Sequence, residues 1–149
     1  EREGKGLALL SFDNEGGRLT LTFSGELYLS RRLEVSLGQL NDADEGLRKQ
    51  NFDRVVLELQ RSFDYFDRSH SFISLDKLML APLPESIGLE AYFADKLNLP
   101  VETPFVPVET LNLGQVLDFT AIPDLNDGEM QGQYFQVLGA ALRNGEKAL

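Results

Sequence analysis

Two glycine-bearing turns cut the first 35 residues into three strand-length segments, and this spacing limits what the chain can fold into more than any other feature. Asn14-Glu15-Gly16-Gly17 and Ser24-Gly25-Glu26 supply residues that tolerate positive φ. Leu7 to Phe12, Arg18 to Phe23 and Leu27 to Val35 therefore read as an antiparallel meander of two hairpins. The first segment is nearly all apolar, as a strand covered on both faces must be, and is expected at the centre of its sheet.

A helical pattern follows. Asn41 or Asp42 suits an N-cap, Asp44 and Glu45 suit the first turn, and the helix is expected to run to about Arg68. Phe52, Val55, Val56, Leu59, Phe63 and Phe66 recur at spacings of three and four and form one stripe that would pack on the sheet. Phe72 to Leu80 is a second apolar run of strand length, punctuated by Pro82 and Pro84. A helix is expected from about Glu85 to Leu97, with Ile87, Ala91, Phe93, Ala94 and Leu97 buried. Pro100-Val101-Glu102 reads as the start of a further strand, and the stretch around Pro104 and Pro107 as a loop. Leu111 to Phe119 reads as a helical turn or two, Asp124 to Gly128 as a turn, and Tyr134 to Arg143 as a helix with small residues at Gly139, Ala140 and Ala141. Three antiparallel strands followed by alternating helices and strands is the order of a ribonuclease H-like α/β layer, the unit duplicated in actin-like ATPases.

Composition excludes several function classes. With 14 Lys+Arg against 24 Asp+Glu, the net charge of −10 opposes phosphate backbones and anionic lipid, so no nucleic-acid partner is expected. The absence of cysteine removes thiolate zinc sites and cysteine nucleophiles, and the single histidine, His70, removes multi-histidine metal sites and leaves a helix-end or turn role. No apolar window of about 18 residues is present to insert in a bilayer. A chain of 149 residues fits one domain, and starting at Glu1 rather than Met it is read as a piece of a longer protein.

Several stretches, in order, resemble the second lobe of the PilM-type actin-like proteins of type IV pilus assembly, and within them the branch that serves the MSHA pilus. Leu9-Leu10-Ser11-Phe12-Asp13, Gly16-Gly17-Arg18-Leu19-Thr20-Leu21 and Gly25-Glu26-Leu27-Tyr28-Leu29-Ser30-Arg31-Arg32 resemble that lobe's opening hairpins, whose later strand ends in a Ser-Arg or Thr-Arg pair. Glu58-Leu59-Gln60-Arg61-Ser62-Phe63-Asp64-Tyr65-Phe66 resembles the family's helix motif Glu-Ile-x-Arg-Ser-Leu-x-Tyr-Tyr, the most specific match. Leu89-Glu90-Ala91-Tyr92-Phe93 with Asn98-Leu99-Pro100-Val101-Glu102, and Val137-Leu138-Gly139-Ala140-Ala141-Leu142-Arg143, resemble the segment after the adenosine loop and the closing helix.

The resemblance implies a cytoplasmic assembly protein at the inner membrane of a Gram-negative bacterium, with inner-membrane pilus-assembly proteins and a pilus ATPase as partners. It also marks departures. The family's second phosphate loop reads Asp-x-Gly at the strand end, where this chain has Ser11 and Asp13, beside Gly16 and Gly17. A carboxylate in place of that glycine meets a phosphate at a cost of roughly 4 kcal/mol per charge pair at 4 Å and an effective dielectric of 20. The adenosine loop's Ser-Gly-Gly is replaced by Leu80-Ala81-Pro82, and proline removes an amide donor. Ser11, Asp13, Gly16 and Gly17 are thus expected to form a degenerate phosphate loop, and Ala81 and Pro82 a degenerate adenosine loop. The expectation is a scaffold that binds proteins, with no catalytic residues, metal or cofactor of its own; ATP and magnesium would enter only with a further lobe. Two alternatives stand beside it: a nucleotide-binding lobe of a PilM-type ATPase, and the actin-like domain of a type II secretion inner-membrane protein.

Other constellations have plainer readings. Asp13, Glu58 and Asp76 suggest the carboxylates of a two-metal nuclease. Against that, Glu58 lies on the long helix, Asp76 suits an outward strand position, and the surface is acidic. Arg61 pairs by default with Glu58 and Asp64 along its helix. Phe63, Tyr65 and Phe66 are assigned to the core, Tyr65 also suiting an interface.

Overall fold

A computed structural model describes residues 4–84, 87–97 and 107–141. The three opening strands are β1 (Lys5–Phe12), β2 (Gly17–Phe23) and β3 (Glu26–Leu33), followed by α1 (Leu37–Leu40), α2 (Glu45–Ser69), β4 (Ser74–Leu80), α3 (Leu89–Lys96), β5 (Val108–Thr110) and α4 (Gly128–Ala141). They form one mixed sheet in the order β3-β2-β1-β4-β5. β1 is central as expected, antiparallel to β2 and parallel to β4, which is in turn parallel to β5. The meander and the α/β class hold.

Register explains the core. Ala8 pairs with Leu21 and Leu78, and Leu10 with Leu19 and Leu80, so their side chains share one face of the sheet. All six of these residues are buried. α2, about 37 Å long by its rise per residue, lays Phe52, Val55, Val56, Leu59, Phe63 and Phe66 on that face, and every one is buried. Each such side chain contributes about 1.5–3 kcal/mol relative to exposure.

Several boundaries differ from expectation. α1 is a separate short helix held by a capping box, in which Ser36 and Gln39 satisfy each other's backbone amides. The N-cap of α2 is Asp44, which accepts from Leu47 N–H at 3.0 Å, while Asp42 accepts from Asp44 N–H at 2.8 Å. Neither Asn41 nor Asp42 caps α2, because the chain has first to leave α1. α2 ends at His70, whose N–H bonds to Phe66 O at 2.8 Å and whose ring stacks on Phe66 at 5.0 Å, the helix-end role expected of it. Tyr65 does not join the core: it is 59% exposed. α3 begins at Leu89 after Gly88, which takes a left-handed φ of 69°; Ile87, Phe93 and Leu97 are buried, whereas Ala91 and Ala94 face solvent. The strand read at Pro100-Val101-Glu102 lies outside the described residues, as do Glu85 and Ser86 at the expected helix start and Leu142 and Arg143 at the expected end of the last helix. The fifth strand is instead Val108–Thr110, within a stretch read as loop.

The last helix starts six residues earlier than read, at Gly128 rather than Tyr134. Asp127 draws it back by accepting from Glu129 and Met130 N–H at 3.0 and 3.1 Å. A smaller core of Leu113, Phe119 and Leu125, with Met130, Phe135 and Leu138 against it, seats this helix. Gln131, 1% exposed, accepts from Leu113 N–H at 2.8 Å and donates to Asn112 Oδ1 at 3.2 Å, so both ends of its buried amide are satisfied.

Candidate functional site

β1 and β4 run parallel, so Ser11 to Asp13 and Ala81 to Pro82 lie at neighbouring carboxyl ends of the sheet, where open α/β sheets place their ligands. The helix α4 crosses these ends. Gly132 lies so close to Pro82 that a Cβ there would come within 2.8 Å of the Pro82 carbonyl oxygen. One turn further on, Gln136 Nε2 donates to Asp13 Oδ2 at 2.7 Å.

Asp13 uses the rest of its carboxylate on its own turn. Oδ1 accepts from Glu15 N–H at 2.8 Å and from Gly16 N–H at 3.0 Å, and Asp13 N–H donates to Gly16 O at 2.9 Å. Its carbonyl accepts from Leu37 N–H at 2.8 Å, which ties the turn to α1. Burial alone would raise the Asp13 pKa; the hydrogen bonds from Glu15, Gln136 and Gly16 and the nearby Arg32 charge outweigh it, so the carboxyl sits below its ordinary 3.8.

The glycines are required by close approach. Gly16 has a φ of 153°, and a Cβ on it would lie 2.6 Å from Leu33 O; one on Gly17 would lie 2.6 Å from the Phe12 ring. They form the tight hairpin turn that joins β1 to β2. The Gly16 amide, which an anion-binding nest would direct at a ligand, points instead at the Asp13 carboxylate.

Beside the turn is an open cleft of about 630 Å³ bounded by Ser11, Asp13, Gly17, Arg18, Arg32 and Gln136. Arg18 and Arg32 are direct neighbours across β2 and β3, and Arg32 Nη2 donates to Glu15 O at 3.1 Å. Of the residues singled out in the sequence, Ser11, Asp13, Gly16 and Gly17 come together here. Ala81 and Pro82 do not line the cleft: both are buried, and Ala81 N–H donates to Leu10 O at 2.8 Å. Gln136 and Arg32 were missed, since no local pattern says which face of the last helix meets a turn 123 residues earlier.

The three carboxylates of the nuclease reading are dispersed. Asp13 is at the end of β1, Glu58 is bound to Arg31 and Arg61 at 3.1 and 3.4 Å, and Asp76 is the extra residue where the β1–β4 register shifts between Gly6 and Leu7. From Leu7 to Asp13 is six residues of strand, roughly 20 Å. Among the described residues no group of three or more His, Asp and Glu is placed to hold a metal ion.

Two residues of the helix motif, Glu58 and Ser62, meet Arg31 of the strand's Ser-Arg pair. Arg31 donates to Ser62 Oγ at 3.2 Å and pairs with Glu58, and Ser62 Oγ in turn donates to Glu58 O at 2.6 Å. Glu58 and Ser62 thus belong to the seam that docks α2 on β3, while Arg61 pairs with Glu58 along the helix, its side chain 60% exposed.

No protein-family model matches the chain, and no curated protein matches it in sequence. Among solved structures it is similar to a chain of a PilM–PilN type IV pilus biogenesis complex, with 18% identity and a TM-score of 0.64, over 94% of this chain and 46% of that one. The fold is actin-like. Two Aquifex aeolicus Ppx/GppA structures align less closely, at TM-scores of 0.47 and 0.45 with 16% and 14% identity, each over 72% of this chain and 35% and 36% of theirs. The chain spans less than half the length of each of these, and among the described residues no helix is long and apolar enough to cross a membrane.

Proposed function

We propose that this chain is a lobe of a PilM-type pilus-assembly protein, of the MshI kind that serves the MSHA pilus, and that it works as a non-catalytic scaffold. It acts at the cytoplasmic face of the inner membrane and binds the inner-membrane proteins of pilus assembly. The likeness in fold to a chain of the PilM–PilN complex and the junction of Arg31 with Glu58 and Ser62 of the helix motif support the family reading. One observation carries the non-catalytic part: the Asp13 carboxylate takes the turn's amides for itself, which puts a fixed internal anion where a phosphate would have to bind.

A second reading has one observation in its favour. The cleft beside Gly17 is open and holds Arg18 and Arg32, which suits a nucleotide-binding lobe completed by a further lobe. The two part on nucleotide dependence. Capture of cytoplasmic tails of pilus-assembly membrane proteins by the full-length protein is expected to be equal with and without ATP and magnesium; capture only with ATP overturns the scaffold reading.

A further inference from the structure

The open edge of the sheet has a groove with charge opposite to that of the molecule. Among the described residues β3 pairs with β2 alone, so one side of its backbone lacks a strand partner. Five consecutive residues, Arg31 to Val35, line a groove of about 410 Å³ against the exposed side of α2, whose Arg54, Leu57, Glu58 and Arg61 form the other wall. β3 ends at Leu33, so Arg31 to Leu33 are the last stretch of its edge, and Glu34 and Val35 carry the groove on past the end of the strand.

The groove gathers four guanidiniums against two carboxylates, Glu34 and Glu58, in a chain whose net charge is −10. Glu58 is already shared between Arg31 and Arg61, and Arg32 is turned to the Glu15 carbonyl, whereas among the described residues no carboxylate closes on Arg54. We infer that this edge is a docking site for an extended acidic segment of another protein, which adds to β3 as a further strand and places its carboxylates on Arg54 and Arg61. Backbone hydrogen bonds supply the register and the arginines supply the selection.

A second copy of this chain is a poor occupant. Pairing β3 with its own copy would bring Arg31 and Arg32 near their equivalents, and inward charge of this sort keeps sheet edges from self-association. The overall charge of −10 adds to that repulsion. An acidic foreign strand meets neither obstacle, and Leu57, 45% exposed, offers it an apolar contact.

The test uses the full chain and a fluorescein-labelled ten-residue peptide of alternating glutamate and threonine, read by anisotropy. Three comparators accompany it: the same peptide N-methylated at alternate residues, a ten-residue lysine–threonine peptide, and a ten-nucleotide thymidine strand. The acidic peptide is expected to bind in a salt-sensitive manner, and the double variant Arg54→Glu, Arg61→Glu to weaken it by at least about tenfold. Both changes are at exposed helix positions, and circular dichroism verifies that α2 stays folded. Failure of the acidic peptide to bind overturns the proposal, as does equal binding of the N-methylated peptide, the lysine peptide or the nucleic acid. Sedimentation showing a dimer that Arg54→Glu dissolves would make the occupant a second copy, and would overturn it too.

Discussion

Gln136 on α4 donates its side-chain amide to the Asp13 carboxylate at 2.7 Å, and in doing so links the end of β1 to a helix 123 residues away. The same carboxylate holds the hairpin turn through Glu15 and Gly16. One acidic side chain therefore joins turn, strand end and last helix, and its charged form is the form that does so.

The stability of this junction should depend on pH in one direction. Asp13 has a folded-state pKa below its ordinary value, so its contribution is present above the unfolded value of about 3.9 and is lost as pH falls through the folded one. Urea midpoints of wild type and Asp13→Asn are expected to differ at pH 7 and to converge below about pH 4. Gln136→Ala should cost about 0.5–1 kcal/mol at pH 7. A difference that stays constant from pH 7 to pH 3 contradicts this account of Asp13.

Two glycines on α4 should respond to alanine with opposite signs. At Gly139 a Cβ meets nothing within 4 Å, so Gly139→Ala is expected to stabilise by up to about 1 kcal/mol through helix propensity. At Gly132 a Cβ meets the Pro82 carbonyl at 2.8 Å, and Gly132→Ala is expected to cost about 1–3 kcal/mol as α4 is pushed off the sheet. Chemical denaturation of both variants decides it; stabilisation by both would mean that α4 does not rest on Pro82.

Arg31 rather than Arg61 should be the stronger partner of Glu58. Arg31 reaches Glu58 at 3.1 Å and also Ser62, whereas Arg61 reaches Glu58 at 3.4 Å with its side chain 60% exposed. A double-mutant cycle of Arg31→Ala with Glu58→Ala is expected to give about 0.5–1 kcal/mol of coupling, and one of Arg61→Ala with Glu58→Ala less than about 0.5 kcal/mol. The reverse order would move the weight of the motif back onto the helix.

Much of the fold was legible because its signals are local. The turns at Gly16-Gly17 and Ser24-Gly25 set three strands, and the stripe from Phe52 to Phe66 set the helix that covers them. The β5 strand was missed because its three residues, Val108 to Thr110, are too few to show a period and follow Pro107. Around Asp13 the residue types were readable but the bonds were not. Arg61 looked like the partner of Glu58 because i,i+3 spacing is visible along a helix, whereas Arg31 is brought in by strand pairing. For the same reason Gln136 gave no signal at all.

Tyr92 links α3 to α2, with its hydroxyl donating to Asp53 and its ring 5.1 Å from Phe52. That hydrogen bond, with smaller contributions from burial and from the charges of Asp53 and Asp95, pushes its pKa from 10.0 up to about 12. A tyrosine that ionises later in the folded state stabilises it below pH 10, and this is lost as pH rises from there towards the folded value. Ultraviolet titration should show one tyrosine near 12 that moves towards 10 in Asp53→Asn; four tyrosines titrating together near 10 in the wild type would contradict the link.

The central claim is that the Asp13 carboxylate stands where a phosphate would need to bind, and calorimetric titration of the full-length protein with ATP and magnesium tests it most directly. Wild type is compared with the Ser11→Asp, Asp13→Gly double variant, both verified as folded by circular dichroism. The account predicts no binding heat for wild type and measurable affinity in the variant. Binding by the wild type as tight as by the variant would contradict it.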